Sequence, residues 1–219
     1  MATQIKAAVQ REKGAAPVIE TLTIDDPKNG EVLVAIKAVG VCHPDMVMRD
    51  GHLPIPQPVV LGHEGSGVVL KVGEGVTSVA PGDHVVLSFD SCGHCPACDD
   101  HEPAYCDNWF AKNFLGMRGD GTTALTDADG GPVHSHIFGQ SSFASHAIVS
   151  ARNTVKVSSD LPLEVLGPLG CGIQTGAGTI LNTLKPRAGS SVAVVGTGAV
   201  GLSAIMAAVP SGTPTRVAL

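Results

Sequence analysis

A mainly β domain followed by the opening of an α/β domain is expected from this chain of 219 residues. Three observations point there. Up to about residue 160 the sequence runs in short β-rich segments broken by Gly and Pro. Near Gly167 the character changes to longer helix-forming stretches. Residues 191–208 then read as buried strand, Gly-x-Gly-x-x-Gly and helix, the order in which a nucleotide-binding α/β unit begins.

The turn Pro27-Lys-Asn-Gly30 leads into residues 31–37, a β-branched run. Residues 67–72 and 84–89 have the same pattern, and Pro81-Gly-Asp83 introduces the second of them. Residues 143–149 and 154–157 add further strand. Residues 108–136 show little periodicity and many Gly and Asp, so loop is expected there. Residues 173–184 are expected to be helical, although nearby glycines weaken the tendency. Residues 191–195 make a short buried strand, and 202–208 a helix. The β domain is placed at 1–171 and the α/β segment at 172–219. There is no internal repeat.

Composition narrows the function. The net charge of −6 argues against a nucleic-acid binder, which needs clustered Lys and Arg. No apolar run is long enough to cross a bilayer without interruption. The opening residues 1–6 lack the apolar stretch of a signal peptide, so a cytoplasmic protein is expected. In that reducing compartment, closely spaced cysteines are metal ligands more often than disulfides.

All six cysteines fall into two arrangements suited to zinc. Cys92, Cys95, Cys98 and Cys106 have the spacing Cys-x2-Cys-x2-Cys-x7-Cys, which lets four thiolates converge on one ion. A redox pair and a nucleic-acid zinc ribbon are the rivals, and the acidic balance disfavours the ribbon. The second arrangement joins Cys42, His63 and Cys171. Three protein ligands leave a fourth position open, as in a catalytic site where an oxygen is polarised. Taken singly, each of these residues reads as an ordinary buried side chain; only the companion motifs make them a set.

Those motifs carry a family resemblance. Gly62-His-Glu-Gly-Ser-Gly67, running on to Gly73 and Val76, resembles the signature of the zinc-dependent medium-chain alcohol dehydrogenases. Cys92 to Cys106 is similar to their structural-zinc lobe. Gly139-Gln-Ser-Ser-Phe-Ala-Ser-His-Ala147 and Gly170-Cys-Gly-Ile-Gln-Thr-Gly-Ala-Gly178 resemble the aryl-alcohol branch. The resemblance extends to about Ala208. It implies a GroES-like catalytic domain followed by a Rossmann domain, two Zn2+ ions (one catalytic, one structural), NAD, and a small-molecule alcohol or aldehyde substrate.

Carried over by residue, the resemblance makes Cys42, His63 and Cys171 the catalytic zinc ligands, and Cys92, Cys95, Cys98 and Cys106 the structural ones. Asp45 orients the ligand imidazole, and Glu64 stands beside the metal. His43 faces the cofactor pyrophosphate, Thr175 packs against the nicotinamide, and Gly196, Gly198 and Gly201 let the pyrophosphate approach a helix N-terminus. Phe89 is a candidate wall of the substrate pocket. His101, His134 and His136 are expected on the surface. Homo-oligomers of the family pair through the cofactor domain, a surface expected to be largely missing from this chain.

Two features depart from the family pattern. Pro44 stands where the family has a Ser or Thr that relays the substrate proton, and it biases His43 toward extended backbone. No Asp or Glu follows Glu164, so the acidic residue that binds the ribose is missing. Only the first strand and helix of the Rossmann domain are expected, with Pro210 ending the helix and residues 211–215 unlike the family's continuation. The chain therefore reads as the catalytic half of a longer enzyme. A zinc-binding pseudoenzyme or binding module, and less plausibly a thiol redox switch, are the alternatives.

Overall fold

The computed structural model describes residues 3–209 in full and the backbone of 215–218. It divides into two compact units, Met1–Gly167 and Pro168–Leu219.

The first unit is built on two five-stranded sheets. Strands β1 (Thr3–Gln10) and β2 (Val18–Ile24) form an antiparallel pair, and β3 (Glu31–Val39) follows the turn at Gly30. A short helix α1 (His43–Arg49) comes next, then β4 (Val59–Val60), β5 (Gly65–Val72) and β6 (His84–Leu87). Helices α2 (Pro96–Asp99) and α3 (Trp109–Phe114) precede β7 (Leu125–Thr126), β8 (Pro132–Val133), β9 (His146–Ser150) and β10 (Thr154–Val157). One sheet has the order β4-β1-β2-β7-β8 and the other β10-β6-β5-β3-β9.

Alternation explains β1: Ile5, Ala7 and Val9 point inward to a core shared with Leu22, Ile24, Leu33 and Ile148. In β3, by contrast, Val32, Leu33 and Val34 are all buried, so that strand is covered on both faces. Its pairing with β5 shifts register twice, between Leu33 and Val34 and between Ile36 and Ala38. A third cluster, Met48, Val59, Leu61, Phe114 and Ile137, lies beneath α1 and fixes the helix that carries Asp45.

Several expectations need correction. Residues 108–136 are not plain loop: they contain α3, β7 and β8. The apolar residues of α3, Trp109, Phe110 and Phe114, sit in a segment too short to show helical periodicity. The strand expected from 143 begins at His146, because Phe143 and Ala144 turn aside to bond β1. Helix α1 begins at His43, so Pro44 does not hold that residue extended. Proline sits in the first turn, where its missing N–H costs nothing, and the Asp45 carboxylate accepts the Cys42 N–H at 3.1 Å to close that turn. His136 is buried rather than superficial.

The second unit comprises α4 (Gly172–Gly178), which continues as a π-helical stretch over Thr179–Leu184, then β11 (Val192–Val195), α5 (Ala199–Ala208) and β12 (Thr215–Ala218). Strand β12 pairs in parallel with β11, so the unit holds a strand–helix–strand repeat, one strand more than expected. Four residues after a Gly- and Pro-containing stretch gave too weak a signal for that strand. Helix α5 starts three residues before the expected position, directly at the glycine turn. The expectations for Pro210 and residues 211–214 lie outside the described residues.

Candidate metal centres

The first unit brings Cys42, Asp45, His63 and Glu64 together. Cys42 caps α1 and Asp45 lies one turn in, fully buried. Gly62 has φ +95, and a side chain there would collide with the Phe143 backbone at 2.5 Å. That glycine turn delivers His63 to the interior, where it is 1% exposed. Its Nδ1 lies 3.0 Å from Asp45 Oδ1, and the same oxygen accepts the Gly62 N–H at 3.1 Å. One carboxylate thus ties the helix N-terminus to the histidine turn.

The other ring nitrogen of His63, Nε2, is buried with no hydrogen-bond partner. An orphaned buried nitrogen is costly unless something binds it. Cys42, His63 and Glu64 each place a ligand atom within 4.8 Å of the others. Sulfur, imidazole nitrogen and carboxylate oxygen are the donor types zinc takes. The residues therefore fit a metal.

Two residues without a role in the sequence reading shape this place. Gln140 is buried; its Nε2 donates to the His63 carbonyl at 2.9 Å and its Oε1 accepts the Gly65 N–H at 3.0 Å. It clamps the backbone on both sides of Glu64. Phe138 holds φ +51 and stacks on the His63 ring at 4.5 Å between centroids. Its ring also meets Trp109 and Phe114 edge-on. The position of Gln140 after Gly139 in the aryl-branch motif was a signal for the first; nothing local signals the second. Phe89 is half-buried and His43 exposed.

Cys92, Cys95, Cys98 and Cys106 form the second centre, with their sulfurs within 4.8 Å of one another. The Cys92 and Cys98 sulfurs are 4.0 Å apart. Thiolates bound tetrahedrally at about 2.3 Å would stand about 3.8 Å apart, so little movement is needed. The thiols are unlike one another. The His94 backbone N–H chiefly pulls Cys92 down to about 6, whereas burial pushes Cys106 up to about 11. A shared divalent cation removes that conflict by deprotonating every coordinating thiol.

In the second unit, Cys171 caps α4 and is half-buried. Thr175 is exposed and its hydroxyl donates to the Cys171 carbonyl at 2.8 Å. At the glycine turn, a side chain on Gly201 would sit 2.0 Å from the Gly196 carbonyl, so α5 packs on β11 only with glycine there. Gly196 and Gly198 have nothing within 4 Å of where a side chain would begin. That open backbone at the N-terminus of α5 fits the approach of a phosphate. No helix among the described residues is long and apolar enough to cross a membrane.

Comparison with known proteins agrees with this chemistry. Residues 28–159 match the family model described as the alcohol dehydrogenase GroES-like domain. The geraniol dehydrogenase of Castellaniella defragrans is 54% identical over 204 residues, covering 93% of this chain and 54% of that protein. An alcohol dehydrogenase zinc-binding domain protein from Burkholderia ambifaria superposes with a TM-score of 0.97 at 51% identity, over 99% of this chain and 59% of that one. The benzyl alcohol dehydrogenase of Acinetobacter calcoaceticus gives 0.93 at 48% identity, over 98% and 58%. The chain spans about half the length of the curated relatives it matches. With a GroES-like domain, the first elements of a Rossmann domain and the motifs of both centres, the chain belongs to the zinc-dependent medium-chain alcohol dehydrogenase family.

Proposed function

We propose that this chain carries the zinc-binding catalytic part of an oxidoreductase that moves hydride between a primary alcohol, of aryl or similar type, and NAD. The observation that carries the reading is the orphaned Nε2 of His63, held by Asp45 on its other face and set beside Cys42 and Glu64. In this reading Cys171 completes the ligand set, and the four-cysteine loop holds a second, structural zinc. The substrate is a small alcohol or its aldehyde, and the proposed compartment is the cytoplasm.

Zinc, when bound, supplies Lewis acidity that eases loss of the alcohol proton. The chain's own groups set the conditions for that. Asp45 accepts the Nδ1 proton of His63, which fixes the tautomer with the Nε2 lone pair available as a ligand. Gln140 and Phe138 keep the imidazole from turning. Glu64 offers a further carboxylate at the same place. Toward NAD, the open backbone at Gly196 and Gly198 would receive the pyrophosphate with His43 opposite it, and Thr175 would pack against the nicotinamide. The geraniol and benzyl alcohol dehydrogenases among the relatives support an unsaturated or aromatic alcohol.

A second reading, a zinc-binding module without redox chemistry, is favoured by Pro44, which has no hydroxyl to relay a proton. One assay separates the two. Zinc-loaded protein is mixed with NAD and benzyl alcohol or geraniol, and NADH absorbance is followed. Zinc-dependent NADH formation supports the dehydrogenase; full zinc content with neither NADH formation nor NAD binding supports the module.

A further inference from the structure

Beside the four-cysteine loop, within the first unit, lies an open cleft of about 820 Å3 that none of the catalytic-centre residues lines. Its carboxylates already have partners. Glu31 accepts from Arg118 at 2.7 Å, and Asp120 accepts from Lys28 at 2.8 Å. Asp90 accepts the Ser91 N–H at 2.8 Å.

The donors in the cleft are in surplus. Arg152 forms no ion pair among the described residues. Its guanidinium makes only two long hydrogen bonds to Ser91 Oγ, at 3.4 and 3.2 Å. It lies so close over Gly93 that a side chain there would strike it at 2.5 Å. Lys112 reaches Asp90 only at 3.4 Å.

At the cleft wall His136 is 8% exposed, and its Nε2 has no hydrogen-bond partner. Its Nδ1 is engaged with Ser135 Oγ at 3.0 Å, and Glu31 Oε1 stands 3.9 Å from Nε2, beyond bonding distance. The residue is itself held at φ +66, a conformation that costs energy for a side chain of this size.

A guanidinium without an ion-pair partner and a loosely paired ammonium in one cleft, with an unmatched imidazole nitrogen buried in its wall, call for an acceptor with several oxygens. Guanidinium groups match planar and tetrahedral oxyanions through paired N–H donors. We propose that this cleft is a binding site for a small oxyanion, a phosphoryl or carboxylate group, with Arg152 and Lys112 as its donors and His136 in its wall.

The test uses the full zinc-loaded chain with 15N-labelled histidine. The ring nitrogens of His136, assigned by their loss in His136→Gln, are followed while inorganic phosphate, phenyl phosphate or benzoate is added at constant ionic strength. A saturable shift with at least one of them is expected, weakened about tenfold in Arg152→Ala and less in Arg152→Lys. Response to the phosphates alone assigns a phosphoryl ligand, and response to benzoate alone a carboxylate. No saturable shift with any of the three overturns the site, as does an Arg152→Ala protein that binds as tightly as the parent. The outcome is independent of dehydrogenase activity, since no residue of the catalytic centre takes part.

Discussion

Asp45 and His63 face each other across 3.0 Å, and neither side chain reaches solvent. The same carboxylate also receives the backbone N–H groups of Cys42 and Gly62. It therefore sets the position of two proposed zinc ligands at once. Asp45→Asn keeps the shape but loses the charge and one acceptor. Zinc affinity at this centre should fall about 10- to 100-fold, measured by competition with a chromophoric chelator. Unchanged affinity would show that Asp45 does not orient the ligand.

The four-cysteine loop has little core of its own, and Trp109, the chain's only tryptophan, packs against it. Cys98→Ser should remove one zinc per chain and lower the melting temperature. It should also shift tryptophan emission to the red as Trp109 leaves its contacts with Phe114 and Phe138. A variant that keeps its zinc and its emission maximum would argue against a metal in this loop.

Pro44 leaves α1 intact but offers no hydroxyl. If the proposed dehydrogenase passes its proton out past this position, Pro44→Thr should raise turnover and alter the pH–rate profile. Identical rate and profile would mean that the proton leaves by another path.

Burial pushes His136 down to about 4. The folded chain thus takes up this proton at lower pH than the unfolded chain does, and protonation favours unfolding. The His136 contribution is complete above the ordinary value of about 6.5 and is lost as pH falls from there through 4. Denaturant titrations should show a loss of at most about 3 kcal/mol from this group over that range, absent in His136→Gln. Parallel acid limbs in the two proteins would contradict this.

Much of the β framework could be read from β-branched runs between turns, because β3, β5, β6 and β10 owe their form to local pattern. Strand β10 matches residues 154–157 without a shift. Short elements held by tertiary contact were not legible: α3 is stabilised by aromatic packing against Phe138, and β12 by pairing with β11. The proposed four-cysteine set was visible in its spacing, whereas Cys42, His63 and Cys171 stood out as a proposed set only through the family motifs around them. The groups that support them were less so. Gln140 acts through backbone groups of a distant strand, and Phe138 through a left-handed backbone and a ring stack. Gln140 is marked along the chain only by its place after Gly139 in the aryl-branch motif, and Phe138 is not marked at all. The burial of His136 has no sign along the chain, because His134-Ser-His136 follows a Gly- and Asp-rich stretch without periodicity.

The proposed function requires one residue of the second unit, Cys171, to share a metal with Cys42 and His63. Zinc is counted per chain after dialysis against a competing chelator, in the parent protein and in Cys171→Ser. Two zinc ions in the parent and one in the variant are expected, with the four-cysteine site still filled. Two zinc ions in both proteins, or one in both, would contradict an ion held jointly by Cys42, His63 and Cys171.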